Sequence, residues 1–134
     1  MAMKVELKEK PKNPTIIEGF PGFGFISTIT TEYLLDHLDF KPIGRIWSDT
    51  MPPMAVIHKK KIQQPLEINY NKKHNLIIIE AMTGVKGIEW EIADALIKLY
   101  QDLNAKEIIS IEGIGVPAGK ENLTFYHTNQ KEKE

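Results

Sequence analysis

The pattern of apolar and polar positions predicts alternating strands and helices. From Ile88 to Leu103 the apolar residues Ile88, Ile92, Ala95, Leu96, Leu99 and Leu103 recur with helical period, while Glu89, Glu91, Asp94, Lys98 and Asp102 largely fill the other side. Acidic residues in the first turn suit the helix dipole, and Asn104 is a fair stop signal. A second helix is predicted from Phe25 to Leu38, where Ile26, Ile29, Tyr33 and Leu34 repeat at helical spacing. Asn75 to Glu80 is continuously apolar in its middle, as expected of a central strand covered on both faces, and Glu107 to Glu112 reads as another buried strand. The unit from Leu76 to Ile111 therefore predicts a right-handed parallel crossover.

Shorter runs fill in the rest. Thr15-Ile16-Ile17-Glu18 is a β-branched strand stopped by Gly19, so strand, glycine loop and helix follow one another. Ile43 to Trp47, Met54 to His58 and Leu66 to Tyr70 are punctuated by Asp49, Pro52-Pro53, a Lys59-Lys60-Lys61 turn and Pro65, which suggests an antiparallel meander. Residues 1–13 read as an extended, charged lead-in suited to an edge strand, and 14–116 as an α/β domain. Residues 117–134 read as a polar C-terminal segment, in which Asn129 to Glu134 is either a solvated tail or the opening of a charged helix.

Composition narrows the class. With 134 residues, 42% of them hydrophobic and 26% charged, the chain has the make-up of one globular domain. A formal charge of -1 supplies no field for nucleic acid or an anionic membrane, so neither is an expected partner. There is no cysteine, no signal-peptide core and no run near the ~20 apolar residues of a membrane span, so the expected compartment is the cytoplasm. Abundant Lys, Ile and Glu without Cys is a bias reported for thermophile proteins.

Several constellations are candidates for function. Gly19-Phe20-Pro21-Gly22-Phe23-Gly24 lies between a strand and a helix, where backbone N–H groups hold phosphate in nucleotide-binding proteins. No Gly-Lys-Ser/Thr ending follows, and the dinucleotide fingerprint is matched only by Gly22, Gly24 and Ser27. The glycines equally serve close strand–helix packing, with Phe20 and Phe23 covering a core or a protein interface. Glu18, Glu80 and Glu112 end predicted strands, and convergence at one sheet edge would suit acid–base or ion-binding work, although no nucleophile and base accompany them. Trp47, Met51, Pro52, Pro53 and Met54 make a rigid apolar loop of interface type. His37, His58, His74 and His127 lie too far apart for a local ligand motif, so no metal or other cofactor is expected.

Three blocks together resemble the archaeal branch of the proteasome-assembling-chaperone family. They are Ile16 to Gly24, the stretch Gly44 to Asp49 with Pro52-Pro53, and Gly87 to Ala93. The resemblance runs from about Pro14 to Gly115. It implies a three-layer α/β/α fold with a mixed sheet of the phosphorylase/hydrolase-like type, homo-oligomerisation, and binding to proteasome subunits or related assembly factors without catalysis. Members of that family are typically nearly twice this length, so this chain resembles the N-terminal half of the family domain, either naturally short or truncated. Some archaeal members end in a docking tail of hydrophobic-Tyr-any-residue type, a role that Glu132-Lys133-Glu134 does not carry.

Overall fold

The computed structural model describes residues 3–122 of the chain. In chain order the elements are β1 (Lys4–Leu7), β2 (Thr15–Gly19), a 3-10 turn (Phe23–Phe25), α1 (Ile26–His37), β3 (Lys41–Trp47), β4 (Val56–His58) and β5 (Lys61–Gln63). There follow β6 (Leu66–Asn71), β7 (Leu76–Ala81), α2 (Glu89–Asp102) and β8 (Glu107–Ser110). Six strands form one mixed sheet in the order β1-β3-β6-β7-β2-β8, and β4 and β5 form a separate hairpin.

The apolar run of β7 sits between β6, antiparallel to it, and β2, parallel to it. Ile77, Ile78 and Ile79 are all completely buried, because this strand is covered on both faces. The crossover from β2 through α1 to β3 runs one way along the sheet, and that from β7 through α2 to β8 runs the other. Right-handed crossovers in opposite directions place their helices on opposite faces, as found here. The result is the expected three-layer α/β/α arrangement.

The two faces differ in chemistry. On one, Ile92, Ala95 and Leu99 of α2 pack on Ile16, Leu66, Ile68, Ile77 and Ile79 to form the main apolar core. At about 1.5–3 kcal/mol for each large side chain fully buried, this layer supplies most of the hydrophobic stabilisation. On the other, α1 buries Ser27 and Thr31 and turns Ile26, Ile29 and Tyr33 to the outside. Gly19 explains the inversion: a Cβ there would lie 2.8 Å from Thr31 Cγ2 and 3.0 Å from the Ser27 carbonyl oxygen. A helix that sits this low on a strand has room only for small side chains beneath it.

Two regions depart from the expected meander or extend it. The run ending at His58 leaves the sheet and pairs with Lys61–Gln63 through a tight turn in which Lys59 and Lys60 both have positive φ (49° and 63°), as a primed hairpin turn requires. β3 and β6 pair directly instead, with a bulge between Pro42 and Gly44. The lead-in forms an edge strand, β1 against β3, where the Glu6 carbonyl occupies the space a Gly44 side chain would need. The expected charged segment from Asn129 and His127 lie outside the described residues. No helix among the described residues is long and apolar enough to cross a membrane.

Candidate functional site

The glycine loop closes around its own chain. Gly19 is needed for packing under α1, and Gly24 (φ 67°) and Phe25 (φ 53°) take left-handed conformations that turn the chain into the helix. Ser27 Oγ donates to the Phe20 carbonyl, and Gly113 packs directly on the Phe23 carbonyl, leaving no room there for a side chain. Phe20 rests on the core, whereas Phe23 and Phe25 are 67% and 63% exposed. Gly22 is open and extended.

The three strand-end carboxylates do not share a face. Glu18 is opposite Ile79, and Glu80 is opposite Gly19, so in this parallel pair Glu18 and Glu80 point to opposite sides of the sheet. Burial pushes the Glu18 carboxyl up, Ser110 counters by hydrogen bonding, and the nearby Glu112 raises it further. Glu80 instead faces α1. Its carboxyl is pushed up to about 7, first by burial and then by Glu32, Glu67 and Asp36, with Lys59 acting the other way.

This second group forms a site that sequence inspection passed over. Glu67 lies directly across from Glu80 on β6, and Asn69 follows it on the same face. Both belong to a cleft of about 270 Å³ between the sheet, α1 and the β4–β5 hairpin, to which Glu32 and Asp36 of α1 also contribute. Lys59 on the hairpin is ion-paired with Asp36 across its rim. The signal was the strict alternation Leu66-Glu67-Ile68-Asn69-Tyr70-Asn71, which marks one face of β6 as polar. Alternation alone does not say that this polar face is covered.

The aromatic and proline-rich loop lines another cleft, of about 320 Å³, that includes Trp47, Met51, Pro52, Pro53 and Met54. Trp47 is half-buried rather than core: its Nε1 donates to Glu6 at 2.7 Å, and Lys4 and Arg45 lie over the ring at 4.9 and 5.1 Å. Arg45 also bonds Glu6, at 2.8 Å, so β1 and β3 hold the indole between them. Met51 anchors the loop on the core while Pro52, Pro53 and Met54 remain exposed.

A mixed sheet with one helix on each face and an outward apolar stripe on α1 defines the class as a three-layer α/β/α domain. The model of the PAC2 family matches residues 16–134, and the chain belongs to that family. It is 27% identical over 136 residues to an uncharacterised protein of Methanocaldococcus jannaschii, covering 98% of this chain and 56% of that one. Pyrococcus furiosus PbaA, an archaeal homologue of proteasome-assembly chaperone, superposes with a TM-score of 0.79 at 28% identity, covering 91% of this chain and 50% of that one. PbaB of the same organism, an archaeal proteasome activator, shares the fold with a TM-score of 0.68 at 23% identity over 90% of this chain and 55% of that one. The chain thus spans about half the length of these relatives.

Proposed function

We propose that this chain is a protein-binding assembly module that associates with copies of itself and with proteasome subunits or related assembly factors. The observation that carries this is the inverted α1. A surface helix normally turns its large apolar residues inward, yet Ile29 is 62% and Tyr33 60% exposed beside Phe23 and Phe25. Large apolar side chains exposed in this number on one helix and its entry turn cost free energy in water that a protein partner recovers by covering them. PbaA, described as homologous to a proteasome-assembly chaperone, gives the partner class.

Self-association has support of its own. Among the described residues β8 has no neighbour on its outer side, and Ile108 and Ile109 are exposed on its two faces. An unpaired apolar edge invites a further strand. The loop bearing Trp47, Pro52, Pro53 and Met54 offers a second contact surface. A nucleotide or small-molecule role for Gly19, Gly22 and Gly24 with Glu18, Glu80 and Glu112 finds no comparable support, since Gly19 is used in packing and Glu80 faces away from Glu18.

Light scattering at micromolar concentration and capture of proteasome α-subunits test the proposal. The wild-type chain is expected to self-associate and to retain a subunit. The double substitution Ile29→Asp with Tyr33→Asp, at exposed positions, is expected to weaken both with its helical signal intact. A monomeric wild-type chain that also retains no subunit overturns the assembly role.

A further inference from the structure

The sheet face beneath α1 holds more negative charge than it neutralises. Glu67 and Glu80 are directly opposed on neighbouring strands and are 8% and 3% exposed. Like charges placed this way destabilise a sheet. Glu32 and Asp36 add to the same field; of the two lysines in the lining, Lys59 is already paired with Asp36, which leaves Lys61 against four carboxylates. Two neutral groups in the same lining are also unsatisfied. Asn69 is 5% exposed with Nδ2 unpartnered, and the half-buried Gln63 has Oε1 unpartnered. A buried acceptor is costly when left unpaired, so Gln63 Oε1 beside two buried carboxylates points to a ligand that donates hydrogen bonds.

The chemistry selects the ligand class. Among the described residues no group of carboxylates and histidines closes into a metal-ion ligand set. A guanidinium carries five N–H donors in a planar fork, sheds water more easily than an ammonium, and matches several oxygen acceptors at once. Here the acceptors are Glu67, Glu80 and Gln63 Oε1. Leu35, Phe40 and Ile62 line the same cleft and suit an aliphatic stem. We propose that the cleft between α1, β6, β7 and the β4–β5 hairpin binds a guanidinium group on an aliphatic stem, with its head at Glu67 and Glu80.

Such binding depends on pH. The groups that face Glu80 are Glu32 and Asp36 on α1, Glu67 on β6, and His58, Lys59 and Lys61 on the hairpin. A cation needs Glu80 ionised, so it displaces the proton that Glu80 holds in mildly acidic solution. Loss of that proton therefore strengthens binding as pH rises. The site stands apart from the assembly role, since a monomeric chain would still possess it.

Amide chemical shifts of the full chain test the proposal with Nα-acetyl-arginine amide and its uncharged isostere, Nα-acetyl-citrulline amide. A Gly/Ser peptide with one central Arg forms a third arm. The arginine probe is expected to move the amides of Leu35, Glu67, Asn69 and Glu80 saturably, and more tightly at about pH 8 than at about pH 6. Glu80→Gln, which keeps the shape and removes the charge, should weaken binding at least about tenfold without lowering the melting temperature. Glu67→Gln gives the same readout if that variant does not fold. Tighter binding of the peptide identifies a protein side chain as the source, and equal binding a free cation. No saturable shift at tens of millimolar, equal shifts from the citrulline isostere, or unchanged affinity in both variants overturns the site.

Discussion

Replacing Glu80 by Gln measures how strongly the sheet face beneath α1 resists a negative charge. The Glu80 carboxyl is raised from 4.5 to about 7, by burial first and by Glu32, Glu67 and Asp36 next. The folded protein thus holds this proton more tightly than the unfolded chain does. Between those values the native state binds more protons, so the contribution to stability is fully present below about pH 4.5 and is lost as pH rises through about 7. A displacement of that size corresponds to about 3 kcal/mol. Gln has nearly the same shape and does not ionise, so it escapes the loss. Urea unfolding at intervals from about pH 4.5 to about pH 8 gives the free-energy difference between variant and wild type. Taking the difference cancels groups common to both, including Glu18, which burial also raises. The difference should move in favour of Gln by about 3 kcal/mol across the window. A difference that stays level to within about 0.5 kcal/mol, or one that moves in favour of Glu, refutes the buried acidic face.

Other substitutions probe the two helix layers and the edge strand. Leu99→Ala should cost about 2–5 kcal/mol by leaving a cavity under α2, whereas Ile29→Ala on the outside of α1 should stay within about 0.5 kcal/mol; denaturant titration of both checks which face of α1 is buried. Gly19→Ala should cost about 1–3 kcal/mol by pressing on Thr31, and adding Thr31→Ser, which deletes the methyl 2.8 Å away, should return part of it. Gly44→Ala should detach β1, because its methyl would meet the Glu6 carbonyl; Trp47 fluorescence reports this, as β1 supplies the Glu6 and Lys4 contacts to the indole.

What was legible in the amino-acid order was whatever depends on a residue's near neighbours. The helical repeat of Ile92, Ala95 and Leu99 located both α2 and its buried face, and the apolar run from Leu76 to Ile79 located the middle of the sheet. The alternation in Leu66–Asn71 likewise contained the two-sidedness of β6. The family followed from the order and spacing of three short blocks, and the family model and the fold both agree with it.

The tertiary structure decided which surfaces meet, because that depends on pairs far apart in the chain. Ile26, Ile29 and Tyr33 show the spacing of a core stripe, yet the close approach of Gly19 to Thr31 and Ser27 leaves no depth for them and turns them out. A single-residue offset in the register of β2 and β7 sends Glu18 and Glu80 to opposite faces and joins Glu80 to Glu67 instead. Periodicity along a chain fixes the faces of an element. Only the approach of one element to another determines which face is covered, and so which carboxylates are buried together and which apolar side chains remain for a partner.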